Sequence, residues 1–404
     1  MGFDREFKPV LRFMVVSDIH YKDEHSVERE RMEKAIQSAY RLCEQEEYSS
    51  LDALFVVGDF ANSGSETQMK AFKKTLDDNL KPGTRTVLTM ASHEYMTDGE
   101  EGALKRFDEI FGMNPDNHVV INGFHFISVT CTNGCHFDDA KVAFTAAELK
   151  KASEADPRKP IFLFQHPHIT DTVSGSIYWG EDELIPALLD YPQIIDFSGH
   201  SHVPINDPRS IHQRHFTCLG TGTMSYFELD EFDKVYGTFP PEKHKAAQFL
   251  FVEANAEGAV RIYPYDVITD TFFPFVWKID TPWDPLSFLY TDARYKNTDA
   301  PWFEESAKAV ISDVKADGFT VTFDQAKVKA EYVNDYNVYL KNSDGIIVRN
   351  ATVWSDYYFV EMPEKISVSF ENLKKGEKYH AEIHANSFWN TRCEKPLLTE
   401  TVEL

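Results

Sequence analysis

The chain has 404 residues, 42% hydrophobic and 14% aromatic, which is enough apolar side chain for two or three packed domains and too much for global disorder. With 41 basic against 65 acidic residues the net charge is −24, which repels phosphate backbones and anionic lipid and argues against a nucleic-acid scaffold or a membrane-surface binder. No apolar run approaches the roughly 18 residues of a membrane span. Asp4, Arg5, Glu6 and Lys8 stand where a signal peptide would become apolar, so a cytoplasmic location is expected. A chain trimmed of a leader would look the same, and the alternative is a secreted or cell-envelope protein.

The first 220 residues alternate short apolar runs with amphipathic stretches. Strands are predicted over 11–17, 53–58, 86–91, 119–130, 161–165 and 194–198, rich in Val, Ile and Phe as in strands buried on both faces. A helix over 27–47 places Met32, Ile36, Ala39 and Cys43 on one side. A second, over 65–80, groups Met69, Phe72, Leu76 and Leu80 behind a Ser65/Gln68 capping box, and Thr145 with Glu148 is read as the start of a third. Strands alternating with helices indicate an α/β domain. A stretch over 266–302, rich in aromatics, Pro and Asp, reads as a connector after a domain over 1–300. Beyond it, 319–323, 336–340, 366–370 and 379–385 alternate with period two, as in a small antiparallel sandwich over 303–404.

Five cysteines, Cys43, Cys131, Cys135, Cys218 and Cys393, are odd in number and scattered, which fits free thiols rather than a disulfide framework. Cys131 is read as a small buried residue and Cys135 as a loop residue.

The chemistry gathers at strand ends. The first strand runs into Ser17-Asp18-Ile19-His20, the second into Gly58-Asp59 and the third into Ser92-His93-Glu94. Later strands run into Gln165-His166-Pro167-His168 and Gly199-His200-Ser201-His202. In an open α/β sheet the carboxyl ends of strands converge on the ligand crevice, so residues almost 190 positions apart would meet. Carboxylates and imidazoles together suit divalent Zn, Mn, Fe or Co.

This ordered set, over roughly 11–220, resembles the calcineurin-like metallophosphoesterase family. The resemblance implies a four-layer α/β/β/α sandwich binding two divalent transition-metal ions. It implies that Asp18, His20, Asp59 and His202 hold the first ion. Asp59 would bridge to a second, held also by His166, His200 and Ser92. A hydroxide held between the ions would attack the phosphorus of a phosphomonoester or phosphodiester. His93 would protonate the leaving oxygen, with Glu94 orienting and charging its ring. Two departures fall on the second ion. Ser92 stands where the family has Asn, and His166 stands one residue before Pro167 rather than two, so alignment on the proline offers Gln165 instead. Ser92 favours the alternative of a weakened, metal-bound scaffold protein, while intact His93, Asp59 and His200 favour the hydrolase. Arg209 and His212, on a polar segment after the last motif, are candidates for a substrate phosphate, and Tyr178 and Trp179 for a loop overhanging the pocket. His380 and His384 are read as solvent-facing, since residues four apart on a strand lie about 13 Å apart.

Leu373-x-x-Gly376-x-x-Tyr379, followed by Ala385-Asn386-Ser387-Phe388, resembles the late strands of a fibronectin type III domain, an immunoglobulin-like all-β sandwich that would dock a protein partner. Purple acid phosphatases join a sandwich to the same catalytic fold, but before it and with a Tyr ligand. Here Asp59 is followed by Phe60-Ala61-Asn62-Ser63, which disfavours that subfamily. The charge favours a small phosphoester substrate over a long nucleic acid.

Overall fold

A computed structural model describes residues 2–229, 239–296, 298–329 and 331–404. The chain divides into two compact units, Met1–Thr291 and Asp292–Leu404.

In the first unit, β1 (Pro9–Val16), α1 (Val27–Glu44), β2 (Ala53–Val57), α2 (Glu66–Asn79), β3 (Arg85–Thr89) and α3 (Gly99–Phe111) form one half. The other half begins with β4 (Asn117–Ile121), β5 (Phe124–Ser128), α4 (Asp139–Ala155) and β6 (Ile161–Phe164). Short elements follow: β7 (His168–Ile169), α5 (Ser176–Trp179), β8 (Gly180–Glu181) and α6 (Ile185–Leu188), then β9 (Ile194–Ser198), β10 (Ile211–Gln213) and β11 (Thr217–Gly220). The chain then returns to the first half with β12 (Gln248–Asn255), β13 (Val260–Asp266), β14 (Thr271–Phe272) and β15 (Trp277–Ile279). One sheet runs β14-β13-β12-β1-β2-β3, with β15 also on β13; the other runs β10-β11-β9-β6-β5-β4.

Side-chain alternation explains the layering. Met14, Val16, Leu54 and Val56 point to a helical layer carrying Met32 and Ile36 of α1, Phe72 of α2 and Phe107 of α3. Phe13 and Phe55, one residue out of step, point the opposite way and meet Phe126, Phe162, Phe164 and Phe197 of the other sheet. The Phe55 and Phe164 rings stack with centroids 4.1 Å apart. Ile127 and Leu163 of the second sheet face Leu149 of α4 and Leu188 of α6. The result is the four-layer α/β/β/α sandwich. Parallel β1-β2-β3 and parallel β5-β6-β9-β11 bring their carboxyl ends to one edge.

Several local readings need correction. The predicted strand over 119–130 is a hairpin, β4 and β5, reversed at Asn122 and Gly123, whose φ of 52° and 78° suit the tight turn that Asn-Gly favours. Thr145 does not start a helix: α4 begins earlier, Asp138 accepts from the Lys141 N–H, and Thr145 donates to the Lys141 carbonyl from the helix interior. Ser65 does cap α2, but Gln68 reaches Ser63 rather than closing a box on Ser65. The predicted connector is partly sheet, because β14 and β15 pair with β13; Asn297, within it, lies outside the described residues. Among the described residues no helix is long and apolar enough to cross a membrane.

The second unit pairs a three-stranded sheet, β16 (Ala309–Lys315), β17 (Gly318–Asp324) and β20 (Lys365–Phe370), with a larger one. The larger sheet holds β18 (Val333–Asn342), β19 (Ile347–Trp354), β21 (Lys378–Ser387), β22 (Leu397–Leu398) and β23 (Val402–Glu403). Inward Phe319, Val321 and Phe323 pack with Tyr336, Val338, Ala381 and Ile383, while His380 and His384 lie on the outer face of β21. The buried Tyr379 hydroxyl donates to the Lys374 carbonyl and accepts from the Lys374 N–H, each at 3.0 Å, which pins the turn before β21. Tyr379→Phe should destabilise this unit by about 1–2 kcal/mol, the cost of leaving those backbone groups unpaired, measurable by denaturant unfolding.

Candidate metal centre

The strand ends meet as the topology requires. The loop after β1 stays paired to the loop after β2: the His20 N–H donates to the Asp59 carbonyl at 3.0 Å. Asp18, His20, Asp59, His200 and His202 all have φ between 47° and 72°, a left-handed conformation that Asp and His tolerate better than most residues and that clusters at functional sites. Gly58 (φ 75°) and Gly199 permit close approach. A Cβ on Gly58 would sit 2.4 Å from His166 Nδ1, and one on Gly199 would sit 2.5 Å from Asp18 Oδ2. Gly58→Ala is therefore expected to displace the His166 ring and cost about 1–3 kcal/mol from the positive φ alone. Thermal unfolding and bound-metal content would register the two effects.

Asp18, Asp59, His166 and His202 each have one polar atom anchored and another presented. Asp18 Oδ2 accepts from Ser17 Oγ (2.5 Å) and the His200 N–H (3.1 Å), leaving Oδ1 3.2 Å from His202 Nε2. Asp59 Oδ1 accepts from the His93 N–H (2.9 Å), leaving Oδ2 3.2 Å from His166 Nε2. His166 Nδ1 donates to the Val57 carbonyl (2.7 Å) and His202 Nδ1 to the Tyr226 carbonyl (2.9 Å). A carbonyl only accepts, so both rings carry a proton on Nδ1 and turn Nε2 inward, the orientation of metal-binding histidines. His20 Nε2 lies 3.1 Å from His202 Nε2. These spacings approximate the ~3.4 Å between N or O ligands on one tetrahedral ion.

At these strand ends three groups of donors lie close enough to share an ion: Asp18, His20 and His202; Asp59, His166 and His200; and His20, Asp59 and His93; a fourth group among the described residues is His136, Glu181 and Glu183. The fully buried His166 Nε2 makes no hydrogen bond, which leaves a donor for a cation to use. Burial opposes charge on His166, yet the Asp59 and Asp18 carboxylates push its pKa up to about 10, so without an ion Nε2 holds a proton that a bound cation would displace. Burial would likewise raise Asp18 and Asp59, but His202 and His166 hold the first, and His166 and His93 the second, below the usual carboxylate range. His20 and His200 are pushed down, chiefly by burial, to about 3 and about 4, so both are neutral at pH 7.

The predicted residues differ in where they end up. Gln165 turns away from this cluster and donates to the buried Asp196 (3.2 Å). Ser92 Oγ donates to Asp59 Oδ2 at 3.3 Å. His93, on a short 3₁₀ turn, directs Nε2 to within 3.9 Å of Asp59 Oδ2. Its ring is not held by Glu94: Nδ1 donates to the Asn62 carbonyl at 2.7 Å. Glu94 instead accepts from the N–H groups of Asp59, Ala61 and Ala91 at 2.8–3.0 Å and so shapes the loops after β2 and β3. Burial, then the Asp59 charge, pushes its pKa up to about 8. His168 is held by the Ser198 and Ser201 hydroxyls, both at 2.7 Å. Arg209 is engaged by Asp207 (2.6 Å) and His212 is buried on β10. Trp179 does reach the site, its ring 4.5 Å from that of His200, whereas Tyr178 is half exposed. Two neighbours escaped the sequence reading. Tyr226 packs on His202 with ring centroids 4.2 Å apart, and Cys135 Sγ lies 3.4 Å from His200 Nε2.

Residues 11–204 match the family model described as calcineurin-like phosphoesterase. That match supports a metal-dependent phosphoesterase in general terms. Comparison with curated proteins found no match. Among solved structures, purple acid phosphatase PPD1 from yellow lupin (Lupinus luteus) is 13% identical, covering 67% of this chain and 53% of that one, with a TM-score of 0.46. The twitchin kinase region from C. elegans is 16% identical over 26% of this chain and 16% of that one, with a TM-score of 0.20. An FN3 domain of human collagen XX is 14% identical over 26% of this chain and 86% of that one, with a TM-score of 0.17. At such scores these likenesses carry no argument about the chain.

Proposed function

We propose that the chain hydrolyses small phosphoesters with two divalent transition-metal ions, Asp18, His20, Asp59 and His202 holding one and Asp59, His166 and His200, with Ser92 nearby, the other. The supporting observation is the convergence of Oδ1 of Asp18, Oδ2 of Asp59 and Nε2 of His20, His166 and His202 on one buried spot, with His166 Nε2 left without a hydrogen bond. When bound, the ions supply an activated water and neutralise charge on the phosphoryl group. The residues do the rest. Asp59 would be shared by both ions, His166 and His202 are oriented by the Val57 and Tyr226 carbonyls, and His93 stands at the rim with Nε2 turned inward, where it would donate a proton to the leaving oxygen.

The test is elemental analysis of the purified protein, then hydrolysis of an aryl phosphate and an aryl phosphodiester before and after chelation and re-addition of Mn²⁺, Zn²⁺ or Co²⁺. Hydrolysis that disappears with the metal and returns with it is expected; metal-bound protein without turnover would favour the scaffold alternative that Ser92 suggests. We read the unit Asp292–Leu404 as fibronectin type III-like, supported by its two sheets and by the Tyr379 hydroxyl bonds, and as a docking module for a protein partner.

A further inference from the structure

The motif that supplies His166 ends on a second histidine, which none of the donor groups among the described residues includes. His168 opens β7 and is buried, and both its ring nitrogens are taken by hydroxyls: Nδ1 pairs with Ser198 Oγ and Nε2 with Ser201 Oγ, each at 2.7 Å. One sense of donation satisfies the whole set. Ser198 Oγ donates to the Leu219 carbonyl at 3.4 Å and accepts from the Nδ1 proton; Nε2 then accepts from the Ser201 hydroxyl, whose oxygen accepts from the Val203 N–H at 3.4 Å. Ser201 stands between His200 and His202, whose φ values are 72° and 55°. Such backbone persists only where its surroundings hold it. Two further contacts tie this loop to the segment that carries His168. The Gly199 N–H donates to the His166 carbonyl at 2.9 Å, and a Cβ on Gly175 would come within 2.5 Å of Ser201 Cβ. The segment 166–175 thus carries one donor and grips the loop that bears two others.

We infer that His168 is a positioning residue for both ions: through Ser201 it holds the loop in which His200, for the second ion, and His202, for the first, keep the backbone that brings their rings to the centre. The inference rests on the two-ion reading above. Ser201 is the single residue between the two donors, so one hydrogen bond acts on both. Phe at position 168 would keep a ring of similar shape but leave the buried Ser198 and Ser201 hydroxyls facing hydrocarbon. The Ser201 side chain would then turn toward another partner, and the loop with it.

The experiment is calorimetric titration of the full chain, freed of metal by chelation, with Co²⁺ as the probe, beside thermal unfolding of the metal-free protein. The wild type is expected to bind two ions. His168→Phe should weaken both by at least about tenfold, the lower end of the 10–100-fold that residues behind metal ligands are worth. Ser201→Ala should do the same, and serves if the Phe variant does not fold. The double variant should be no worse than either single one, because both remove the same bond, whereas independent effects would multiply. His168→Gln, whose side-chain amide can reach Ser201 and either donate or accept, should recover most of the affinity. A merely structural role would lower the unfolding temperature and leave the ion affinity of the folded protein unchanged. That result, or effects that multiply in the double variant, would overturn the assignment of His168 and leave the two-ion reading standing. A wild type that binds one ion overturns the two-ion reading alone, since the change in that ion's affinity still decides the role of His168; one that binds none overturns both.

Discussion

Asp59→Asn should lower turnover of an aryl phosphate by about 10³-fold or more and weaken retention of both ions. A metal's Lewis-acid contribution is several kcal/mol, and each 1.36 kcal/mol is tenfold in rate. The variant is nearly isosteric, and Asn tolerates the left-handed φ of 47° at this position, so the loop should keep its path. The amide oxygen can still accept from the His93 N–H, as Oδ1 does at 2.9 Å. What is lost is the negative charge between the two groups of donors, and with it the oxygen that faces His166 at 3.2 Å. Elemental analysis alongside rate measurements distinguishes this from unfolding. Turnover equal to wild type would sink the bridging role.

His93→Ala should reduce turnover by about 10²–10⁴-fold, the range for a lost general acid, while both ions stay bound. The ring sits at the rim: its side chain is 25% exposed, and the Asn62 carbonyl keeps the proton on Nδ1. Nε2 is therefore left to face Asp59 Oδ2 at 3.9 Å, on the side where a leaving oxygen would lie. The loss should shrink for substrates whose leaving groups need no proton. If the variant instead sheds an ion, His93 is a ligand, a role its grouping with His20 and Asp59 would permit.

Local pattern carried much of this far. Strand ends at Asp18, Asp59, His93, His166 and His200, and the period-two strands of the second unit, are legible because burial on a strand or helix face leaves a spacing in the sequence. Signals within short windows were legible but missed in places: Asn122-Gly123 inside an apolar run is a turn, and reading through it hid the carboxyl end of β5, from which the Cys135 loop departs. A Thr145–Glu148 spacing resembled a helix start only because nothing local distinguishes it from a helix interior.

The sequence by itself determined the donor types, their order and the strand ends that carry them, because side-chain chemistry and backbone periodicity are written along the chain. Which atom of each donor faces the centre was decided only by the assembled sheets. Gln165 and His166 are adjacent, yet one bonds Asp196 and the other faces Asp59, since they follow directly on β6, and only β9 and β2 give the two sides of that segment meaning. His93 takes its orientation from Asn62, 31 positions away, and Glu94 serves three backbone amides rather than its neighbour's ring. Cys135 meets His200 across 65 positions. These are hydrogen bonds and contacts between segments distant in the chain, formed once the strands pack, and they leave no spacing for a linear reading to find.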